Sequence, residues 1–264
     1  MVDGATNTKA AHPMGGIYYC RIYGGKMEQL SVKLLRHTPD PEGLVAQAAK
    51  LCYSASTIDD LAARVENHDQ KAFIKKLMDM GHDSPLEHIS FTFGVEGVSR
   101  VLSHQLVRHR IAQYSQQSQR YVKLDKTFQY IIPPSIYGNR PAYEEYIRLM
   151  EVVHRIYVAL EDAGIPVEDA RYVLPNATET KIMLTMNARV LLHVFSVRGC
   201  NRAQWEIREM VMMMLIECKK IAPTIFTDAG PACILGECGE GKMTCGKQTE
   251  VQDRFEALGL KAKA

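Results

Sequence analysis

Residues 89 to 96 constrain the fold most sharply. Ile89, Phe91, Phe93 and Val95 alternate with Ser90, Thr92, Gly94 and Glu96. Apolar and polar side chains repeating with a period of two specify a β-strand buried on one face only. A strand of that kind belongs to a sheet with one covered face, and the cover must come from elsewhere in the chain. The sequence supplies it as helices. Residues 41 to 53 place Leu44, Val45, Ala48, Leu51 and Cys52 at helical spacing. Residues 59 to 80 continue helically through Leu61, Val65, Phe73 and Leu77, and Gly81 with Pro85 beyond it ends them. Ser99 can cap a helix carrying Val101, Leu102, Gln105, Leu106 and His109. Residues 141 to 163 form a strongly amphipathic helix closed by Gly164, and Pro166 opens a short helix that ends near Leu174. Residues 188 to 197 and 201 to 221 read as helices, the second with Asn201 as cap, and Met212, Met213 and Met214 read as core packing.

Further strands are expected at 27 to 35, 121 to 124 and 178 to 186. The sum is an α+β fold: a single domain with a modest antiparallel sheet covered by several helices. Its 264 residues, 46% hydrophobic and 23% charged, suit one large domain or at most two. Residues 1 to 26, rich in Gly, Ala, Thr and Asn without a period, read as a flexible tail. Residues 27 to 232 form the domain proper, and 233 to 264 a Cys- and Gly-containing extension.

The net charge of +2 is close to balance, so a basic site must be local. That argues against a chain that coats nucleic acid or a membrane surface. No run approaches 18 apolar residues, and the N-terminus lacks an apolar signal core. Seven cysteines, an odd and sparse count, favour reduced thiols and a cytoplasmic setting.

One stretch concentrates chemistry. Arg108-His109-Arg110, seven residues, then Ser118-Gln119-Arg120-Tyr121 lie in a run where the only formal charges between Glu96 and Asp125 are Arg100, Arg108, Arg110, Arg120 and Lys123. Guanidinium forks grip phosphates, and Ser and Gln hydrogen-bond flat heterocycles, so the stretch suits a phosphorylated, ring-bearing ligand. A solvated basic face is the plain alternative. On one helix, Gln105, Arg108 and His109 would share a face, with a loop from 113 to 119 offering uncharged donors. Tyr114 suits either core or stacking, and Tyr121 reads as core.

Three further groups stand out. In Gly81 to His88, the six-residue spacing of His82 and His88 is poor for metal, and a capped loop before Pro85 is the plain reading. Asn187-Ala188-Arg189, His193 and Arg198 span one helix, followed by Asn201-Arg202-Ala203-Gln204-Trp205-Glu206; Arg198 could equally offset the helix dipole, and Trp205 reads as core. Cys233, Cys238 and Cys245 lie among glycines and are candidate zinc thiolates, with Cys200 or Cys218 as a fourth ligand; free thiols in a mobile tail are the alternative. There is no dinucleotide fingerprint, P-loop or nucleophile elbow.

The Arg-His-Arg, seven residues, Ser pattern closely resembles the signature of the flavin-dependent thymidylate synthases. Four other blocks match that family in order: the His82 to His88 loop with the phenylalanine strand after it, Arg171 before Val173-Leu174-Pro175, Asn187-Ala188-Arg189 with Arg198, and Ala203-Gln204-Trp205-Glu206. The resemblance covers about residues 27 to 232. It implies a homotetramer with FAD between subunits and active sites shared among chains. It implies reductive methylation of dUMP to dTMP, with 5,10-methylenetetrahydrofolate as carbon donor and NADPH as reductant of the flavin.

By the same resemblance, Ser84, Arg108, His109, Arg110, Gln116, Asn187, Arg189 and His193 contact FAD. Gln105, Arg108, Gln117, Ser118, Gln119, Arg120, Arg171 and Arg198 hold dUMP, and Arg198 is the catalytic residue. Ser115 and Gln116 stand where Asn and Glu are frequent, and His193 where some members have an amide. Folate, NADPH and dUMP are thus the expected partners, with neither nucleic acid nor membrane among them. Two other readings stay open. One is a thymidylate synthase with a nucleophilic cysteine, for which Cys200 is the candidate. The other is a non-catalytic nucleotide- or RNA-binding module using residues 100 to 123, which needs exposed aromatics among the basic residues.

Overall fold

The computed structural model describes residues 21–23, 26–28, 30–66, 68–124 and 129–260. In chain order the elements are β1 (Arg21–Tyr23), β2 (Lys26–Glu28), β3 (Ser31–His37), α1 (Pro41–Leu51), α2 (Ile58–Glu66), α3 (Lys71–Asp79), β4 (Ser90–Ser99), α4 (Arg100–Leu106), β5 (Gln113–Gln116), α5 (Pro134–Tyr137), α6 (Arg140–Asp162), α7 (Val167–Ala170), β6 (Glu179–Asn187), α8 (Ala188–Arg198), α9 (Trp205–Ile221) and α10 (Gln248–Ala257). Short 3-10 turns lie at Ser84–His88, Arg171–Val173, Ala232–Ile234 and Gly241–Met243. Among the described residues no helix is long and apolar enough to cross a membrane.

The fold is α+β, but it divides into two compact units where the sequence suggested one domain. Of the described residues, one unit holds 21–23, 26–28 and those between Ser118 and Glu179; the other holds those between Leu30 and Gln117 and those from Thr180 to Leu260. In the second unit a four-stranded sheet runs in the order β3-β4-β6-β5, with β3 antiparallel to β4 and β5 antiparallel to β6. Phe91, Phe93 and Val95 of β4 and Ile182, Leu184 and Met186 of β6 are buried, as the alternating pattern requires. α8 and α9 contribute Leu191, Val194, Phe195, Met210, Met214 and Leu215 to the same core. Phe226 packs edge-on against both Phe91 and Phe195, at centroid distances of 5.5 and 5.9 Å.

In the other unit, β1 and β2 pair antiparallel. These strands take up residues 21–23 and 26 of the expected tail, and residues 1–20 and 24–25 lie outside the described residues. α6 presents buried Met150 and Tyr157, and Gly164 (φ 82°) closes it in the left-handed conformation that glycine tolerates.

Several expectations are corrected. The helix expected over 59 to 80 is two helices. Gln70 breaks it: its side-chain amide donates to the carbonyls of Val65 (3.0 Å) and His68 (2.8 Å), satisfying the end of α2, while Asp69 accepts from the N–H of Lys71. Residues 121–124 form a turn, not a strand, and Tyr121 is 79% exposed rather than core. The expected loop after Arg110 contains β5, whose polar residues pair with β6. α9 starts at Trp205, with Gln204 rather than Asn201 as its cap; Gln204 accepts from the N–H of Ile207. The extension beyond 233 is not a loose tail, because Val251 and Phe255 of α10 are buried in the main core.

Candidate active site

α4 positions the motif. Ser99 caps it by accepting from the N–H of Leu102 at 3.1 Å. The same hydroxyl donates to Glu206 of α9, whose other carboxylate oxygen accepts from the Ser99 N–H at 2.6 Å. All three groups are buried, so the start of α4 is fixed to α9 by a fully satisfied polar cluster. Burial raises the pKa of Glu206 and the Ser99 hydrogen bonds oppose that shift. Glu206 belonged to a block matched by resemblance, and nothing in the local sequence shows that its partner is Ser99.

α4 stops at Leu106, so Gln105, Arg108 and His109 do not share a helix face as the spacing suggested. The chain leaves in turns, with the N–H groups of Arg108 and His109 donating to the carbonyls of Gln105 and Leu106. Tyr114 fixes this exit. Its hydroxyl lies 2.9 Å from both the Leu106 and the His109 carbonyl, and burial pushes its pKa up to about 12. The tyrosine is therefore a brace, neither wholly core nor a stacking surface.

The decisive contact joins residues 89 positions apart. Arg198, at the end of α8, donates from Nε to Nε2 of His109 at 3.0 Å, and its Nη2 reaches the Gln105 carbonyl at 3.4 Å. An arginine Nε always bears its proton, so His109 Nε2 must present a lone pair. His109 is therefore neutral, with its proton on Nδ1. Electrostatics agree: burial, then the charges of Arg198 and His193, lower its pKa to about 4. His193 stands edge-on to His109, ring centroids 6.0 Å apart. Arg198 Nη1 makes no hydrogen bond among the described residues, which leaves donors for a ligand.

A pKa below the free value has a signed consequence. The neutral ring's contribution to stability is complete above about pH 6.5 and is lost as pH falls toward 4, because the unfolded chain binds the proton first. An NMR titration of the His109 ring should show no protonation down to about pH 5 in the wild type. In Arg198→Ala the midpoint should move up toward the ordinary histidine value. An unchanged midpoint would show that Arg198 does not hold the ring neutral.

The other expected residues are placed as follows. Arg108 and Arg110 are exposed and their guanidinium groups engage no described residue. Ser84 is exposed at the start of the 3-10 turn Ser84–His88. Asn187 caps α8 through its side-chain oxygen, which leaves its amide N–H groups free of that role. Arg189 pairs with Glu87 on the surface. Gln116 donates to Thr180 at 3.1 Å, and the Gln117 N–H to the Lys181 carbonyl at 2.9 Å. Gln105, Arg108, His109, Arg110, Gln116, Gln117, Asn187, Arg189, His193 and Arg198 all belong to one unit.

Ser118, Gln119, Arg120 and Arg171 belong to the other unit. There Glu168 holds Arg120 through both Nε (2.9 Å) and Nη2 (2.8 Å), and its backbone carbonyl accepts from Arg171. The guanidinium group of Arg120 also lies over the exposed Tyr121 ring, 5.6 Å from its centroid.

Known proteins resemble this chain in sequence and fold. A family model described as thymidylate synthase complementing protein matches residues 33–224. A flavin-dependent thymidylate synthase of Geobacter sulfurreducens is 53% identical over 232 residues, covering 88% of this chain and 100% of that protein. The chain belongs to the flavin-dependent thymidylate synthase family. Another member, from Clostridium tetani, is 51% identical over 244 residues, covering 86% of this chain and 98% of its own. Among solved structures, a UMP/dUMP methylase from Streptomyces cacaoi bound with 5-Br dUMP superposes with a TM-score of 0.64 at 25% identity, covering 75% of this chain and 93% of its own.

The residues present fit the cofactor for which the family is named. Two unengaged guanidinium groups, Arg108 and Arg110, have the chemistry that a flavin's phosphates require, and the neutral His109 and exposed His193 offer ring surfaces and hydrogen bonds. Two members of the expected set are already occupied: Arg189 by Glu87 and the Gln116 amide by Thr180. The Arg189–Glu87 pair is solvent-exposed and can exchange partners at small cost.

Proposed function

We propose that this protein converts dUMP, 5,10-methylenetetrahydrofolate, NADPH and a proton to dTMP, tetrahydrofolate and NADP+, with FAD as hydride carrier. The observation that carries this reading is the Arg198–His109 hydrogen bond, which ties the signature motif to the arginine at the end of α8.

Arg198 acts on the uracil ring in this reading. Its Nε is committed to His109 and its Nη2 to the Gln105 carbonyl, so the fork is oriented before substrate arrives. The remaining donors stabilise negative charge as the ring is activated, the role of a preorganised oxyanion site. Keeping His109 neutral matters here, because a second cation would repel the guanidinium group from that geometry. Arg108, His109, Arg110, Ser84, Gln116, Asn187, Arg189 and His193 hold FAD, and Gln105, Gln117, Ser118, Gln119, Arg120 and Arg171 join Arg108 and Arg198 on dUMP. When bound, the flavin supplies the hydride chemistry; the protein binds, orients and polarises. A homotetramer with shared sites completes the reading, and Val101, Val107 and Ile111, exposed beside the motif, suit burial by another subunit.

Glu168 competes with the nucleotide phosphate for Arg120. Glu168→Gln should therefore tighten dUMP binding, by up to about fivefold given the energy of an exposed ion pair. Weaker binding by isothermal titration would show that Glu168 positions Arg120 and does not compete for it.

The test of function is product analysis by chromatography. The full mixture should yield dTMP, and omission of FAD, folate or NADPH should each abolish it. No dTMP from the full mixture would overturn the reading, as would formation that persists after complete flavin removal. A nucleophilic Cys200 predicts that second outcome.

A further inference from the structure

The cysteines expected as zinc ligands do not form such a site: among the described residues no three His, Cys, Asp or Glu side chains are grouped to hold a metal ion. A different cluster bears on the chemistry. The two groups that meet at the site arrive on different elements, and one turn of α9 is bonded to both. α9 packs against α4, which leads into the Arg108-His109-Arg110 motif, and against α8, which ends in Arg198. From the start of α9, Glu206 reaches α4. Its carboxylate accepts from the N–H of Ser99 at 2.6 Å and from the Ser99 hydroxyl, which itself accepts from the N–H of Leu102. Two residues on, Arg208 turns the other way, since such positions lie about 200° apart around a helix. Its Nη1 donates to the carbonyls of Asn201 and Ala203, both at 3.1 Å. Those carbonyls belong to the loop that joins Arg198 to α9, a turn closed by the Ala203 N–H on the Cys200 carbonyl at 2.9 Å. All of these residues lie in one compact unit.

Both side chains are held in unfavourable surroundings. Glu206 is buried, and a buried carboxylate persists only where its oxygens are hydrogen-bonded, as both are here by Ser99. Arg208 stands among charges. Burial and then Arg208 lower the pKa of Arg254 on α10, and Arg208 opposes the burial that raises Glu209 to about 7. The contact between the two bonded elements is narrow in tolerance. Arg198 Nε lies 3.0 Å from His109 Nε2. Such a bond is lost beyond about 3.5 Å, so a slip of about 0.5 Å between α4 and the end of α8 breaks it.

We propose that Glu206 and Arg208 are positioning residues that together fix the gap across which Arg198 meets His109. Glu206 sets where α4 begins, and Arg208 sets the path of the chain after α8, both from the same turn of α9. This role rests on the proposed function of Arg198. Neither residue acts on substrate directly; each acts through the Arg198–His109 bond.

The test is a double-mutant cycle with two readouts: NMR titration of the His109 ring, and single-turnover dTMP formation by the FAD-reconstituted protein at saturating dUMP. Arg208→Met should raise the His109 midpoint from about 4 toward the ordinary histidine value. It should also slow dTMP formation by about 10 to 10²-fold, the usual effect of a small misplacement, with dUMP affinity and flavin content near wild type. Arg208→Lys keeps a cation that can donate to both carbonyls and should recover part of each change. Glu206→Gln keeps an acceptor for the Ser99 N–H and should move both readouts in the same direction as Arg208→Met, by less. In Arg198→Ala neither substitution should have a further effect, because the bond through which it acts is gone. An unchanged His109 midpoint in folded Arg208→Met and Glu206→Gln would overturn the assignment. So would rate losses that multiply with that of Arg198→Ala. Wild type that makes no dTMP would instead sink the proposed function, and the His109 titrations, which need no turnover, would still decide whether the turn of α9 holds the contact.

Discussion

Arg198→Ala is expected to lower turnover by about 10² to 10³-fold, the usual effect of removing one preorganised donor from a developing negative charge. The protein should stay folded, because Arg198 is only half-buried and its hydrogen bonds reach one imidazole and one carbonyl. Flavin content should change little, since the guanidinium groups suited to phosphate are those of Arg108 and Arg110. Single-turnover formation of dTMP at saturating dUMP isolates the chemical step from binding. A loss confined to dUMP affinity would make Arg198 a binding residue, and near-normal turnover would remove its role altogether.

Phe255→Ala is expected to cost about 3 to 5 kcal/mol of unfolding free energy, the range for emptying an aromatic site in a packed core. Phe255 is 0% exposed, and its ring fills the space beside two glycines: a Cβ on Gly230 would come within 2.5 Å of it and one on Gly199 within 3.5 Å. Gly199 directly follows Arg198, so the substitution loosens the support of the site as well as the core. Urea unfolding of mutant and wild type measures the difference. A cost below about 1 kcal/mol would mean that the extension contributes little to the fold, contrary to the burial of Val251 and Phe255.

Strong periodicity made much of this fold legible. α1, α6 and α8 form close to where apolar spacing put them, and β4 follows the phenylalanine alternation, but the buried faces of α1 and α6 are narrower than that spacing implied: Leu51, Leu149 and Ile156 are exposed. The failures have a common physical origin in distant partners. The break between α2 and α3 depends on a glutamine amide turning back to two carbonyls, with no Gly or Pro to mark it. β5 is polar along its length and exists by pairing with β6. α10 has few core residues, and their burial depends on glycines far back in the chain. At the site, the basic stretch and the helix ending in Arg198 were each visible as chemistry. Their contact spans 89 positions, the Ser99–Glu206 contact 107, and no spacing rule links either pair.

In the proposed function, the site around Arg198 and His109 couples a reduced flavin to dUMP. Anaerobic visible spectroscopy of the purified, FAD-reconstituted protein tests it most directly. The expected result is a flavin band that NADPH bleaches, and that returns together with dTMP when dUMP and 5,10-methylenetetrahydrofolate are added. A protein that takes up no flavin, or whose reduced flavin is indifferent to the two substrates, would contradict it.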